Sequence, residues 1–494
     1  MKVGIIGAGL AGLSAAARLA VSGHEVTVFE QALAPGGKAA SLSAAGYRFD
    51  TGPSLLTMPE VVDELFACAG RRREDYLRFL PLEEICRYVF DDGTQLSAFH
   101  DKEAFSSELE RVLGESPQAL ERYFRYCARL NRIAGDLFMQ NSLHEVSTYT
   151  KPKILQSLMQ LWRLDLFRSM DQAHRAFFRN PRTTQLFNRY ATYNGSSPYQ
   201  VPATLNIIPA VEYLGGAYAV AGGIHALPRA MEKLSRELGV SFKYGTPVRR
   251  IIFENAGGTR RVLGLETESE EFRADIVISN LDVIGTYRDL LGDIDAPLYK
   301  RYQNLEPSSS GMVFLFGMGA SFSQLSHHNI FFSADYPAEF RSLFEELRCP
   351  ADPTVYVNVG CKSTPSDAPK GKENWFVLLN APRDAGQDWE AERRRMRAAV
   401  LSRLSSALGA DIEQLIEYES GFNPPDIEKN TGAAYGSLYG ISSNTKLAAF
   451  LRHPNRSRRY KGLFFCGGSA HPGGGMPLAV LSGAITAGLV NGAA

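Results

Sequence analysis

Neither sign of charge is in excess in this 494-residue chain. Its 53 lysines and arginines match 53 aspartates and glutamates, for a formal net charge of zero. Proteins that work on a phosphate backbone carry a basic excess, so nucleic-acid binding is excluded as the main task. Cysteine is scarce, and Cys68, Cys86, Cys127, Cys349, Cys361 and Cys466 form no CxxC pair. Six are too few for a disulfide framework, which fits a reducing cytoplasm. Zinc spacing and HExxH are absent, so no metal centre is expected. No run reaches the roughly 20 apolar residues that span a bilayer. Internal repeats and low-complexity linkers are also missing. With 45% apolar and 21% charged residues the composition is globular, and the length suits roughly two to three domains.

What the chain has is glycine: 45 residues, clustered at both ends and near 215–223. Such clusters mark backbone that must approach a ligand. Lys2 to Ile6 reads as a strand and leads into Gly7-Ala8-Gly9-Leu10-Ala11-Gly12. A helical pattern follows to Gly23, then a second strand from Glu25 to Glu30. Strand, GxGxxG, helix, strand and acid together form a dinucleotide-binding unit. Gly7 supplies the tight turn, Gly9 admits a pyrophosphate to the backbone, and Gly12 lets the helix pack on the strand. The N–H groups at the helix start, around Leu10 and Ala11, hold phosphates. Glu30 lies 18 residues after Gly12 and offers a carboxylate to a ribose diol, which disfavours NADP.

The chain then turns through Pro-Gly-Gly-Lys (35–38) and Phe-Asp-Thr-Gly-Pro-Ser (49–54). It sets Lys38 beside the phosphates where an NAD enzyme would run into another regular unit. At the other end, a strand over 462–466 feeds Gly467-Gly468-Ser469-Ala470-His471-Pro472-Gly473-Gly474-Gly475-Met476-Pro477-Leu478 and an apolar helix to Ala494. Pro477 suits a first helical turn. The helix start would stabilise negative charge on a reduced flavin, and the glycines would let an isoalloxazine lie flat. No second GxGxxG is visible, since Gly317-Met318-Gly319 runs on to Phe322. A flavin here must pass its electrons to oxygen, a quinone or another acceptor.

These motifs carry a resemblance. The segment 35–54 resembles the FAD-binding start of the flavin amine oxidase and carotenoid desaturase superfamily, with Lys38 where arginine is common. The tail is similar to the THPGGGxP segment of bacterial-type phytoene desaturases, with Ala470 in the threonine position. Residues 188–204, 327–339 and 352–382 resemble carotenoid desaturases, most of all the branch acting on hydroxylated or partly desaturated carotenoids. One departure is Tyr218-Ala219-Val220-Ala221-Gly222-Gly223, which lacks the family's aromatic–Pro–basic element.

The resemblance implies an α/β fold: a Rossmann-like, amine-oxidase-type FAD domain with a discontinuous α+β substrate domain and a helical membrane-facing region. The FAD domain is expected over 1–90, 241–285 and 416–494, the substrate region over 91–240 and 286–415. Strand-like runs at 248–254 and 274–280 bring the chain back to the nucleotide half. Gln31, Gly37, Lys38, Pro53, Ser54, Gly468, Met476, Pro477 and Leu478 join Gly7 to Gly12 and Glu30 as cofactor contacts. Val248 is implied at the adenine. The implied activity is FAD-dependent desaturation of a carotenoid, foremost 3,4-desaturation of a 1-hydroxycarotenoid. Phytoene or diapophytoene desaturation, oxidation of a terminal methyl and flavin-dependent isomerisation stay open. The partners expected are a lipophilic carotenoid and a membrane surface, touched peripherally from the cytoplasm.

Two residues are nominated for proton handling. Glu212 sits in an apolar context, IIPAVEYLGG, with a structural carboxylate as the equal alternative. His471 lies in the glycine loop that the resemblance places by the ring, or only shapes that loop. Phe187, Tyr190, Tyr193, Tyr199, Tyr213 and Tyr218 are candidates for an apolar tunnel, with core packing the better expectation for any one. His327 and His328 are adjacent and should diverge in a strand. Residues 149–170 mix Trp162 and Phe167 with Lys151, Lys153, Arg163 and Arg168, as a membrane-surface helix or a half-buried domain helix would. Arg393–Arg395 and the group Arg452, Arg456, Arg458, Arg459 and Lys461 read as solvated basic faces or weak contacts to anionic lipid.

Overall fold

The fold was taken from a computed structural model, which describes residues 1–139, 141–256, 259–445, 448 and 452–492. Apolar, β-branched segments from the start, middle and end of the chain form one five-stranded parallel sheet. Its order is Leu463–Phe465, Ile276–Ser279, Lys2–Ile6, Glu25–Phe29 and Ser241–Lys243. The last helix, Met476–Asn491, packs on the first, Leu10–Val21. Small residues permit this: a Cβ on Gly483 would lie 2.3 Å from the Ala11 carbonyl oxygen. The Ser14 hydroxyl donates to the Val480 carbonyl at 2.7 Å across the same seam. The helix expected to reach Ala494 ends at Asn491, and residues 493 and 494 lie outside the described residues.

Val248–Ala256 does not enter the parallel sheet. It pairs antiparallel with Thr259–Thr267, which pairs in turn with Glu271–Arg273. Ile251 and Leu265 of this ribbon are buried with Ile6 and Phe29, so it lies against the nucleotide sheet.

The second large sheet has seven strands, in the order Ile416–Phe422, Ser310–Met318, Glu373–Ala381, Val355–Val359, His328–Phe331, Glu84–Val89 and Gln95–Phe99. Its two faces have different fates, as strand alternation dictates. Met312, Phe314, Phe316 and Met318 pack with Trp375, Val377 and Leu379 beneath the helix Trp389–Leu408. Gly311, Val313, Leu315, Phe376, Leu378 and Asn380, offset by one, line a cavity.

This sheet corrects the expected boundaries. Glu84–Val89 and Ile416–Phe422, placed by sequence with the nucleotide half, belong to the seven-stranded sheet. Ala226–Glu237, placed with the substrate region, packs on the first helix. The expected ranges follow chain order, and nothing in a strand's own residues names its partner.

Residues 149–170 do not form one helix. The chain makes a 3-10 turn over Val146–Thr150, a helix over Pro152–Leu158, another 3-10 turn over Leu161–Arg163, and a capped helix from Met170. Lys151 is extended, as the residue before a proline must be. Asp165 accepts from Tyr126 and Arg168 and pins the following stretch. Val146, Met159, Trp162 and Phe167 are 72–86% exposed, an apolar strip on the outside of the molecule. Among the described residues no helix is long and apolar enough to cross a membrane.

Candidate active site

One cavity of about 1230 Å³ lies between the two sheets. Both extremities of the chain border it: Gly7, Gly9, Leu10 and Ala11 from one, Gly468, Met476, Pro477 and Leu478 from the other. The first and last helices therefore direct their N-termini, with unpaired N–H groups and partial positive charge, into one space. Glu30, Gln31, Gly37, Lys38, Pro53, Ser54 and Val248 border it too.

Ala8 and Gly12 stand behind this wall. The Ala8 N–H donates to Glu30 Oε2 at 2.7 Å, and the Ala32 N–H to Oε1 at 2.9 Å. Each oxygen keeps a lone pair for a ribose hydroxyl. At Gly12 a Cβ would stand 2.2 Å from the Gly7 carbonyl oxygen, so any side chain would push the helix off the turn. Asn280, which sequence reasoning missed, closes the turn from the neighbouring strand. Its Nδ2 donates to the Gly7 carbonyl at 3.3 Å, and its amide abuts Gly9, Gly12 and Gly467. The signal was its place just after the parallel strand Ile276–Ser279, at the carboxyl end of the sheet, where such folds bind ligands.

Two contacts tie the extremities further. Gln31 Nε2 donates to the Asn430 carbonyl at 3.1 Å. The Lys38 ammonium donates to the Leu438 carbonyl at 2.7 Å and the Ser437 carbonyl at 3.1 Å. Burial lowers the lysine pKa to about 8, with nearby Asp282 opposing the fall. Burial likewise raises the Asp282 carboxyl.

Arg452 corrects the reading of its cluster as a solvated face. It is 3% exposed, borders the cavity, and donates to the Ile441 and Tyr439 carbonyls and the Ser443 hydroxyl. Burial pulls its pKa down to about 10, leaving a cation beside Gly473.

Glu212 is fully buried but does not border the cavity. Tyr190 and Tyr193 donate to its two oxygens at 2.5 and 2.6 Å, and Arg189 approaches at 3.4 Å. Arg189 and Tyr193 do face the cavity, so Glu212 fixes the side chains that border it. His471 is also set back. Its Nε2–H donates to the Asn141 carbonyl at 2.7 Å, and burial lowers its pKa to about 4. The neutral ring thus fastens the segment after Met139 to the glycine loop. His144 does the same through the Arg452 carbonyl at 2.8 Å.

Of the nominated aromatics only Tyr193 borders the cavity. Phe187, Tyr190 and Tyr213 pack in the helical core, while Tyr336, Tyr356, Phe376 and Phe422 take the wall positions. His327 and His328 do not diverge. Pairing starts only at His328, and the two rings stack edge-on with centroids 4.4 Å apart. His328 Nδ1 meets the Tyr356 hydroxyl at 2.7 Å, and that hydroxyl meets Ser54 Oγ at 2.5 Å. No group of three or more His, Cys, Asp or Glu among the described residues is placed to hold a metal.

The glycine cradle, two helix N-termini and Glu30 fit a flavin dinucleotide. The volume exceeds the usual 300–1,000 Å³ of a small-molecule pocket, which leaves room for a second molecule. A family model described as flavin containing amine oxidoreductase matches residues 10–491. The chain belongs to this family. Its cofactor is FAD, and it is an oxidoreductase; its full-length relatives set it in the carotenoid desaturase group.

Among its relatives, a "1-hydroxycarotenoid 3,4-desaturase" from Flavobacterium sp. (strain P99-3) is 42% identical over 489 residues, 99% of each chain. A "4,4'-diapolycopene oxygenase" from Methylomonas sp is 35% identical, over 98% of this chain and 96% of that one. Among solved structures, an oxidoreductase from Methanosarcina mazei superposes with a TM-score of 0.62 at 18% identity, over 98% of this chain and 99% of that one. Cyclohexylamine oxidase from Brevibacterium oxydans IH-35A gives 0.62 at 17%, over 100% and 99%. Both share the amine oxidase fold, with its parallel sheet and mixed α/β content.

Proposed function

We propose that this family member introduces the 3,4 double bond into a 1-hydroxycarotenoid while resting on a membrane surface. The observation that carries the reading is the full-length 42% identity to a desaturase of that name. The cavity wall supports it, with Val313, Leu315, Phe376, Leu378, Ile207 and Ile208 facing a space that a polyene would fill.

Bound FAD supplies a hydride acceptor at its ring. The chain's own residues bind and orient the polyene, exclude water and keep a fixed charge pattern around the ring. Conjugation spreads the positive charge that develops as hydride leaves, so the neighbouring proton needs only a weak acceptor. That demand suits the substrate-sheet side of the cavity: among the lining residues the carboxylates are Glu30 and Asp282, both on the nucleotide side, and Glu212 lies behind the wall, bonded to Tyr190 and Tyr193. Positioning then contributes most of the catalysis.

The relatives that act as diapocarotenoid oxygenases, at 34–35% identity, favour terminal-methyl oxidation as a second reading. Mass spectrometry of the product separates them. Loss of two hydrogens is expected; gain of oxygen supports the second reading, and unchanged mass with a shifted spectrum supports isomerisation. Mixing the anaerobically reduced enzyme with oxygen or, separately, with a quinone and following flavin re-oxidation identifies the acceptor.

The membrane face we assign to the strip of Val146, Met159, Trp162 and Phe167, flanked by Lys151, Lys153 and Arg163. The strip follows Phe138 and Met139, which border the cavity, so a lipid-dissolved substrate would enter nearby.

A further inference from the structure

The substrate sheet gives the cavity a largely apolar wall, interrupted by single polar residues such as Asn380 and Ser420 and by one connected polar chain. Ser54 comes from the nucleotide half, just beyond the Gly37–Lys38 turn. Tyr356 comes from the strand Val355–Val359, and His328 from the strand beside it. All three border the cavity. Ser54 Oγ and Tyr356 Oη are 2.5 Å apart, and Tyr356 Oη and His328 Nδ1 are 2.7 Å apart. The chain therefore bridges the two halves of the molecule, where cofactor and substrate meet.

His328 is 3% exposed, and its Nε2 has no hydrogen-bond partner. Burial, with His327 and Arg189 nearby, keeps its ring neutral. Nothing fixes Nε2; at Nδ1 the Asn358 amide nitrogen, a donor, also approaches at 3.4 Å and favours the bare form, and the choice is completed from the other end of the chain. If Nδ1 is bare, Tyr356 donates to it, Ser54 donates to Tyr356, and the serine oxygen is left with lone pairs. If Nδ1 carries the proton, it donates to Tyr356, Tyr356 donates to Ser54, and the serine O–H is free. In both arrangements Ser54 offers the cavity one unsatisfied hydrogen-bonding function. An alcohol, which can donate and accept, satisfies either.

The proposed reaction fixes where a substrate oxygen must lie. An oxygen on C1 is three bonds from C3, so it sits about 4 Å from the carbon being oxidised. The alcohol must therefore be recognised beside the ring and not at the far end of the tunnel. Resting on the desaturase reading, we propose that Ser54, backed by Tyr356 and His328, receives the C1 hydroxyl and selects hydroxylated ends over hydrocarbon ends. A hydrocarbon end would leave Ser54 facing apolar surface, which is how a polar site rejects an analogue that lacks its hydroxyl. Ser54 is a binding residue here; Tyr356 and His328 position it.

The test uses the FAD-loaded enzyme and two probes. One is an acyclic C40 carotenoid with a 1-hydroxy-1,2-dihydro end, the other its 1,2-dihydro hydrocarbon counterpart. Kd is read anaerobically by quenching of flavin fluorescence, and kcat/KM from product mass. The wild type should prefer the alcohol by about tenfold or more in both measures. Ser54→Ala should bring both ratios to within about twofold of unity, Tyr356→Phe should lower them, and Ser54→Thr should restore them. Using ratios cancels any general effect on flavin retention. Equal affinities in the wild type, or a preference that survives Ser54→Ala, overturns the proposal. Failure of the desaturase reading shows separately, as oxygenated or unchanged product from both probes, and the Kd ratio still decides the hydroxyl site.

Discussion

Glu30 and Glu212 are both buried carboxylates, and their partners give them opposite tasks. Glu30 is held by two backbone N–H groups and keeps lone pairs toward the cavity. Glu30→Ala should raise the Kd for FAD about tenfold, measured by equilibrium dialysis. Glu212 is consumed by Arg189 and two tyrosines. Glu212→Ala would leave the Arg189 guanidinium buried without its counter-charge. The expected loss is about 3–5 kcal/mol of stability, seen as a lower denaturant midpoint. The place of Glu30 at the cavity was legible, because it follows from its spacing after a glycine turn. It left Glu212 open between base and scaffold, because the answer lies in Arg189, Tyr190 and Tyr193, which only folding brings to it. Arg452 was illegible for the same reason: a basic cluster does not say which member turns inward.

The first and last helices meet through small residues, and the contact tolerates no growth. Gly483→Ala forces a methyl toward the Ala11 carbonyl and should cost about 1–3 kcal/mol, read as a lowered Tm in the FAD-free protein. The strip over 146–167 shows the converse, large apolar side chains that stand 72–86% exposed. The double variant Trp162→Ala, Phe167→Ala should float less well with anionic liposomes while keeping its bound flavin. Unchanged flotation would remove the strip from the membrane role. Composition revealed that this stretch mixes apolar and basic residues. Its break into short turns was hidden, because Pro152 marks a helix start, but the pinning of Asp165 by Tyr126 is a tertiary event. The strands at 2–6, 25–30, 274–280 and 462–466 were legible as strands, while Glu84–Val89 and Ile416–Phe422 found partners that sequence could not name.

The molecule as a whole buries neutral imidazoles. His174 and His471 have pKa values lowered to about 4, and His453 to about 3, chiefly by burial. The unfolded chain binds these protons near pH 6.5, so between there and about pH 4 unfolding takes up protons that the fold refuses. Stability present above pH 6.5 should therefore fall as pH drops through that window. Each ring contributes a slope of about 1.4 kcal/mol per pH unit. Thermal unfolding from pH 7.5 to 5 should show Tm declining below 6.5. His174→Asn should flatten the decline even if it lowers the plateau.

The parallel sheet also sets an order in time. Its central strand, Lys2–Ile6, is made long before the outer strand Leu463–Phe465 and the helix Met476–Asn491 that complete the dinucleotide cradle. Between those two points the nascent polypeptide carries only half of its nucleotide site. Tight capture of FAD is therefore expected to wait for residues 463–491 and to lock the sheet once they arrive.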